Sequence, residues 1–508
     1  MRKNLFSFSS LFALLLLLPL CIALYDIVSG NISFWYDPAR DLLQALGNIH
    51  KLTLIGPPSG IPGIFYGPYW IWLLSLGLVI SKDPRFITFL VSFIPYFIIF
   101  PIILYKHLAP LDKKITFILL PFFLFGYGIH YGTALWNPHP AALIFLTLLY
   151  LIMITDYKSL GKETYFKMLL TGLMAGILIN FHISFGLGAL VGVGIFFISD
   201  IALGLLQNKN QTGNYIMRRL LLLSIFGCGL LTSLTPFFAF EYRHGFNQIH
   251  TALGALSKFG GVVALKGLSN GQILSMFYGK LAILLGTNTP IAYGIGIICT
   301  FLVLYGLKSK RFVLTPLEKK LAILLLSISS GILLLYLTAR NPVWDYHFLG
   351  VEIIFLMALA LFGSKSALVK KILMVWVIII CASNSLAFYK SINQNHLVDS
   401  SLSVKEKVVD TIIKDAGAAS YTVFDHSPSI YQYDYSYLFK WKADKDVPYD
   451  PGTIQKDAPA IYLIMTNVSS DDQRAFLGYR TPEANYKTSR QWTFQGNTKV
   501  IKRSRVTN

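Results

Sequence analysis

Residues 5–41 read LFSFSSLFALLLLLPLCIALYDIVSGNISFWYDPARD and decide the fold. From Leu5 to about Ile27 the residues are almost all apolar, and about twenty such residues suffice for an α-helix to cross a hydrocarbon core roughly 30 Å thick. The length of the run, with no small-residue cleavage pattern after it, favours a first membrane span over a secretory signal peptide. The motif that follows, Tyr36 to Asp41, places two carboxylates and an arginine just beyond that span.

The rest of the chain continues this composition. Of its 508 residues, 54% are hydrophobic and only 14% are charged, against about a quarter charged in a soluble domain. A soluble globule is therefore excluded, and we predict a mainly α, polytopic bundle with eleven spans. The spans are residues 5–28, 86–105, 115–131, 140–155, 168–181, 184–206, 220–240, 290–307, 321–338, 346–363 and 372–389. Two further apolar stretches, 64–80 and 273–285, read either as short spans or as helices at the interface.

Basic residues indicate the orientation of these spans. If both ambiguous stretches stay outside, the amino end and five loops (106–114, 156–167, 207–219, 308–320 and 364–371) carry 19 basic residues in 59 positions, and the other side carries 9. This asymmetry predicts a cytoplasmic amino end. It also accounts for the net charge of +19 as a topology signal, so no nucleic-acid partner is expected.

The polar tail is predicted to form a separate small domain outside the cytoplasm. We divide the chain into a membrane module, residues 1–390 with outer loops 29–85 and 241–289, and an α/β domain, residues 391–508. Within the tail, Val404 to Ala416 is helix-like, and Tyr421 to Phe424 and Ile461 to Met465 are strand-like. Five aromatic residues offer it a small core: Tyr431, Tyr433, Tyr435, Phe439 and Trp441.

Asp37 and Asp41 form the pattern with the most chemical content. Asp37 before Pro38 suits a helix N-cap, followed by an apolar stripe, and capping alone would account for it. Four residues apart on one helical face, however, the two carboxylates could also hold a divalent cation or divide the roles of base and binding group. A Pro/Gly-rich loop, residues 56–68, follows and reads either as a plain connector or as a holder of backbone amides.

Polar residues at other predicted outer span ends gather at the same membrane face. Near hydrocarbon such groups cost several kcal/mol without partners and tend to mark functional sites. The candidates are Asn137, His139, His182, Glu241, Arg243, His244, Arg340, Asp345, Tyr346 and His347. Arg243 or Arg340 could bind a phosphate through a bidentate contact, although Arg243 could equally pair with Glu241 or extend to lipid headgroups.

The histidines could bind metal or sugar hydroxyls, or simply pack through hydrogen bonds. Glu352, inside the tenth span, could face a cavity beneath His347 or be a protonated group bonded to a neighbouring helix.

The order of these motifs resembles the polytopic GT-C glycosyltransferases, in particular the group related to protein O-mannosyltransferases and lipid A aminoarabinose transferases. The resemblance covers about residues 1–390 and rests on Tyr36 to Asp41, the loop from Gly56-Pro57 to Tyr66-Gly67-Pro68, Trp136-Asn137-Pro138, Asn180-Phe181-His182, Phe240 to Phe246, and Asp345 to Phe348. It implies sugar transfer from a polyprenyl-phosphate carrier, with the first-loop Asp37 as the catalytic carboxylate.

Two departures limit what the resemblance transfers. The mannosyltransferases show Asp-Glu where this chain has Asp37-Pro38, so the second acid is either Asp41 or absent. The aminoarabinose enzymes have a lysine where this chain has Gly56, so their phosphate contacts do not carry over.

Together these observations predict a multi-pass plasma-membrane hexosyltransferase that uses a polyprenyl-phosphate-linked sugar, with an acceptor glycan, lipid or protein and membrane lipid as its partners. Asp37 and Asp41 are the predicted catalytic residues. The predicted substrate contacts are Arg243, His244, Glu241, Arg340, Asp345, Tyr346, His347, His182, Asn137 and Tyr66. A divalent metal on Asp37, Asp41 and His139 is possible. The main alternative is a transporter or flippase that moves such a lipid without transfer chemistry.

Overall fold

The structure is a computed structural model and describes residues 8–157, 159–207, 212–257, 268–309, 313–338, 343–393, 401–426, 433–446 and 460–506. The membrane module is helical throughout. Its helices, in chain order, are α1 Phe8–Ser29, α2 Tyr36–His50, α3 Tyr69–Ile80, α4 Pro84–Leu108, α5 Lys113–Tyr131, α6 His139–Ile154, α7 Lys162–Phe181, α8 Ile183–Gln207, α9 Thr212–Arg243, α10 Asn247–Ser257, α11 Asn270–Gly279, α12 Leu281–Leu285, α13 Thr289–Lys308, α14 Pro316–Thr338, α15 Val351–Lys365 and α16 Ala367–Asn393. A 3-10 turn, Asp345–Phe348, leads into α15.

Within the described ranges, nine of these helices are long and apolar enough to cross a membrane: α4, α5, α7, α8, α9, α13, α14, the unit Asp345–Lys365 and α16. The two remaining predicted spans correspond to α1, with 22 residues, and α6, with 16. Of the two ambiguous stretches, 64–80 forms the 12-residue α3 and 273–285 forms α11 and α12. At about 1.5 Å per residue, a helix as short as α3 falls well short of a roughly 30 Å core. With nine helices of sufficient length and hydropathy in its described part, the chain is a multi-pass membrane protein.

Small residues let the membrane helices approach one another closely. A Cβ placed on Gly331 of α14 would lie 2.2 Å from the backbone nitrogen of Gly192 on α8. A Cβ placed on Gly172 of α7 would lie 1.9 Å from the carbonyl oxygen of Phe226 on α9. Apolar side chains gain little by leaving lipid, so backbone proximity at such positions is a main source of helix association.

The tail forms a small α/β unit, as the sequence predicts. Its helices are α17 Leu402–Ala416, α18 Ser436–Ala443 and α19 Ser470–Arg480, and its strands are β1 Thr422–His426, β2 Ala460–Thr466, β3 Tyr486–Phe494 and β4 Thr498–Arg505. The strand order is β1-β2-β4-β3; β1 runs parallel to β2, and the other pairs are antiparallel. Tyr435 and Phe439 are buried in its core, whereas Tyr431 lies outside the described residues.

The α/β unit is in direct contact with the segment between α1 and α2. Backbone bonds run from the Leu402 amide to the Ile32 carbonyl (2.9 Å) and from the Ser403 amide to the Gly30 carbonyl (3.0 Å). The Arg85 guanidinium, at the start of α4, forms an ion pair with the Glu406 carboxylate of α17. The tail and helix α2 therefore lie at the same end of the helix bundle.

Candidate functional site

The first wall of the site is the amino-terminal turn of α2. The helix begins at Tyr36, with Trp35 as its N-cap residue, so Asp37 is already inside the first turn. Its carboxylate receives a hydrogen bond from the Trp35 indole (3.3 Å), and it forms an ion pair with Arg40 (2.7 Å). The interpretation of Asp37 as an N-cap is therefore wrong. Pro38 is tolerated because the first four amides of a helix lack partners within it.

Arg40 joins the two predicted catalytic carboxylates. Its guanidinium contacts Asp37 at 2.7 Å and donates to one oxygen of Asp41 from Nε (2.9 Å) and from a terminal nitrogen (2.7 Å). The other oxygen of Asp41 accepts from the Trp70 indole at 2.8 Å. Sequence reasoning assigned no role to Arg40, although its spacing from Asp37 on a helix brings the two side chains together.

The side chains of Asp37 and Asp41 differ in their exposure to solvent. The side chain of Asp41 is fully buried, whereas 13% of the Asp37 side chain is exposed. Burial raises the pKa of both carboxyls, against the lowering effect of Arg40, and brings the pKa of Asp41 to about 6. Asp37 is thus the acid that a substrate can reach, and Asp41 holds Arg40 in place.

The Pro/Gly-rich loop is a hairpin that forms the second wall. The amide of Gly56 donates to the Tyr66 carbonyl (2.8 Å), and the amide of Tyr66 donates to the Pro57 carbonyl (2.9 Å). The Gly67 amide ties this hairpin to the Asn180 carbonyl at the end of α7 (3.1 Å). The loop is therefore more than a connector, because it fixes the position of Tyr66.

A close contact at Gly67 makes this hairpin testable. A Cβ on Gly67 would lie 1.5 Å from the side-chain oxygen of Asn180, whereas a Cβ on Gly47 of α2 would meet nothing within 4 Å. We expect Gly67→Ala to destabilise the fold by about 1–3 kcal/mol through overpacking. Gly47→Ala, the matched control in a helix, should be stabilising by about 0.5–1 kcal/mol. Thermal unfolding in detergent measures both, and an unchanged melting temperature for Gly67→Ala would contradict this packing.

Aromatic and polar groups from three other segments of the chain lie near the hairpin. The Asn137 side-chain amide donates to the Phe181 carbonyl (3.2 Å), and the Tyr66 ring packs edge-on against His182 at 6.5 Å. His182 Nε2 lies 2.8 Å from the Tyr346 carbonyl. Since a carbonyl only accepts, Nε2 carries the proton. Burial lowers the pKa of His182 to about 4, so at neutral pH the ring is uncharged and suited to hydrogen bonding rather than to anion pairing.

Two further contacts close the chamber around Asp37. The Trp136 ring packs edge-on against the Trp35 ring at 6.2 Å, and it lies 5.4 Å from the ring of Tyr346. Below Tyr346, the His347 ring stacks on Tyr336 with centroids 5.9 Å apart. The structure therefore brings together Asp37, Tyr66, Asn137, His182, Tyr346 and His347, as the sequence predicts.

Lys280 is a second cation at the site to which sequence reasoning assigned no role. It lies between α11 and α12, its side chain is only 3% exposed, and its ammonium forms an ion pair with Asp345, whose side chain is 70% exposed. The charge on Lys280 also contributes to the lowered pKa of His182. The sequence could have indicated Lys280, because it is a charged residue within the apolar stretch 273–285, and a charge in such a stretch often marks a functional site.

Other predicted contacts lie away from this chamber. Arg243 and His244 are exposed, and His244 is turned onto the Phe240 carbonyl (2.8 Å) of its own helix. Glu241 is buried, but its carboxylate accepts from the Gln248 side chain (2.9 Å) and the Ile249 amide (3.1 Å) and so anchors α10. Within the described ranges Glu241 and Arg243 do not pair, so that interpretation is wrong. Arg340 lies outside the described residues.

Glu241 supports the hairpin indirectly. The Gln248 side chain that it holds accepts a hydrogen bond from the Phe65 amide at 2.7 Å. Glu352 is also structural: it is fully buried and accepts from the Gly350 amide (2.8 Å) at the start of its own helix. Its other carboxylate oxygen is buried and has no hydrogen-bond partner among the described residues, so the alternative of a bond to a neighbouring helix is not confirmed.

The predicted metal ligands do not form a metal site. Among the residues that the structure describes, no three His, Cys, Asp or Glu side chains gather as metal ligands do. The Arg40 guanidinium joins Asp37 and Asp41, and His139 instead faces the Ala134 carbonyl at 3.4 Å. These residues do not fit a divalent cation, so no step proposed below uses a metal.

The helix bundle with its small α/β tail has the same fold as two solved structures of ArnT. The chain is similar to the crystal structure of ArnT from Cupriavidus metallidurans bound to undecaprenyl phosphate, with 10% sequence identity, a TM-score of 0.58 and coverage of 98% of each chain. It is also similar to apo ArnT from the same organism, with 12% identity, a TM-score of 0.52 and coverage of 97% of this chain and 98% of that one. No family model matches the sequence, and no curated protein matches it significantly.

Proposed function

We propose that the protein is an integral-membrane glycosyltransferase that moves a sugar from a polyprenyl-phosphate carrier to an acceptor hydroxyl. One observation carries the proposal: a partly exposed carboxylate, Asp37, and a buried ammonium, Lys280, line the same end of the bundle. Transfer of this kind needs a base for the acceptor and positive charge for the departing phosphate. The fold of ArnT, which was crystallised with undecaprenyl phosphate, supports the same donor class.

In the proposed reaction, Asp37 accepts the proton of the acceptor hydroxyl while the hydroxyl oxygen attacks the anomeric carbon of the sugar. The bond between that carbon and the phosphate oxygen breaks, and the electron pair leaves with the polyprenyl phosphate. The raised pKa of Asp37 makes it a stronger base than an exposed aspartate. Arg40, itself held by Asp41, orients the carboxylate, and Lys280 compensates the charge on the departing phosphate.

Lys280 replaces Arg243 in this scheme. Arg243 is exposed, whereas a buried ammonium acts in a low-dielectric setting, where its attraction to phosphate is stronger. Glu241 and His244 likewise have no contact with substrate in the scheme. The transferred group is proposed to be a hexosyl unit, on the resemblance to the mannosyltransferase group.

The reaction is tested with the purified chain in liposomes that contain polyprenyl-phosphate-linked hexoses. We expect acceptor-dependent release of free polyprenyl phosphate, followed by thin-layer chromatography or mass spectrometry. Liposomes with heat-inactivated protein are the control. Movement of the intact donor between leaflets without its cleavage would establish the flippase alternative and overturn the transferase.

We also propose that the site end of the bundle lies outside the cytoplasm of a plasma membrane. The basic loops at the opposite end support this orientation. A reporter fused after Lys114, in the first turn of α5, should therefore have a cytoplasmic location, whereas a fusion after Asn508 should be external. The reverse pair of results would invert the topology. The division into a membrane module, residues 1–390, and an α/β domain, residues 391–508, stays part of the proposal.

A further inference from the structure

A second pocket lies at the end of the bundle opposite Asp37. It has a volume of about 100 Å³ and lies where the carboxyl-terminal ends of α4 and α6 approach the start of α14. Its walls are mostly apolar, with Leu111, Met153, Ile154, Leu317 and Leu321 among them.

His107, on α4, is the unusual group in this pocket. Its side chain is 5% exposed, and neither ring nitrogen has a hydrogen-bond partner within the described ranges. The Tyr150 ring lies 6.1 Å from it and offers a packing contact only. Buried polar groups are nearly always hydrogen-bonded, so two unpaired nitrogens indicate a partner that the protein chain does not supply. Water is poorly suited to this role, because the mostly apolar lining gives it few other partners.

The charge around the pocket is positive. Lys106 lines it, is exposed and has no ion-pair partner in the described part of the chain. The two neighbouring acids are already neutralised: Asp112 pairs with Lys370, and Glu318 pairs with Lys365. An anion is therefore the charge that this pocket complements.

We propose that this pocket binds one anionic phospholipid from the adjacent leaflet. The lipid phosphate accepts a hydrogen bond from an N–H of His107 and pairs with the Lys106 ammonium, while an acyl chain lies against the five apolar side chains named above. Basic pockets between membrane helices are suited to such headgroups. The three helix ends that line the pocket, from α4, α6 and α14, are joined by this lipid.

The test uses the full chain, purified in detergent and delipidated. Its melting temperature is titrated with phosphatidylglycerol, with phosphatidylcholine of the same acyl chains, and with inorganic phosphate. We expect saturable stabilisation by phosphatidylglycerol alone. The double variant His107→Leu/Lys106→Gln should weaken its apparent affinity by about tenfold or more, since it loses two contacts to a charged phosphate.

Lys114→Gln, which removes an exposed lysine that does not line the pocket, is the matched control and should bind as the unmodified chain does. Equal stabilisation by phosphatidylcholine, equal stabilisation by inorganic phosphate, or an unchanged affinity of the double variant would each overturn the proposal. Should the double variant fail to fold, Lys106→Gln alone gives the same comparison at an exposed position. The outcome is independent of transferase activity.

Discussion

Replacing Asp37 with asparagine is expected to lower sugar transfer by about 10²–10⁴-fold, the usual contribution of a positioned general base. Asparagine has nearly the same shape but cannot accept the proton. The fold should survive, because Arg40 keeps its two contacts to the buried Asp41 and so is not left as an unpaired buried charge. The measurement is the initial rate of polyprenyl phosphate release, with the melting temperature recorded in parallel.

Two comparison variants separate chemistry from folding. Asp471→Asn removes an exposed carboxylate from the tail and should leave the rate unchanged. Asp41→Asn removes the buried partner of Arg40 and should lower the melting temperature as well as the rate. A transfer rate within a fewfold of the unmodified chain for Asp37→Asn would exclude Asp37 as the base.

The same assignment predicts the sign of the pH dependence. A carboxyl acts as a base only when ionised, so the rate should rise with pH through the pKa of Asp37. Burial raises that pKa above its ordinary value of 3.8, so the acidic fall in rate should occur at higher pH than for an exposed aspartate. Arg40→Gln removes a charge that lowers this pKa and should move the acidic fall to still higher pH.

Replacing Lys280 with glutamine is expected to raise the KM for the lipid-linked donor by about 10–100-fold, the effect of losing a charge-assisted hydrogen bond to phosphate. The rate constant kcat should also fall, because the same charge stabilises the departing phosphate. Lys280→Arg should restore part of the donor affinity. Donor titrations at saturating acceptor measure both quantities.

The control for Lys280 is Lys320, a half-buried lysine at the other end of the bundle. Lys320 donates to the Met153 and Thr155 carbonyls at 3.0 and 2.9 Å, so Lys320→Gln should affect stability without changing the donor KM. The double variant Lys280→Gln/Asp345→Asn tests whether the effect comes only from an unpaired Asp345. Restored donor affinity in that double variant, or an unchanged KM in Lys280→Gln, would contradict phosphate binding by Lys280.

Much of the bundle was predictable because apolar length and loop charge act locally along the chain. The spans, the tail helix from Val404 and the first two tail strands follow from such local patterns. β3 and β4 were missed: β3 is largely exposed, and β4 is rich in basic residues, so neither shows a clear apolar alternation.

The site was predictable only in part, for a physical reason. The position of a residue at the end of a span predicts the membrane face on which it lies. On this basis Asp37, His182 and Tyr346 were predicted at one face, where they line the same chamber. The same position does not predict which way a side chain turns. The turn Gly245–Phe246, with positive φ angles, reverses the chain after α9 so that Glu241 binds α10 and His244 remains outside. Lys280 was missed because its stretch was weighed only for whether it crosses the membrane.

The support of α2 by the tail has a consequence for biogenesis. The Tyr437 hydroxyl donates to the Lys82 carbonyl across 355 positions of sequence, and the Phe34 ring beside α2 packs near Tyr437 at 6.3 Å. Contacts this distant in sequence form late. The segment before α2 therefore acquires its final packing only after the chain has been synthesised through Tyr437, and a product terminated between α16 and Tyr437 would leave that segment without this support.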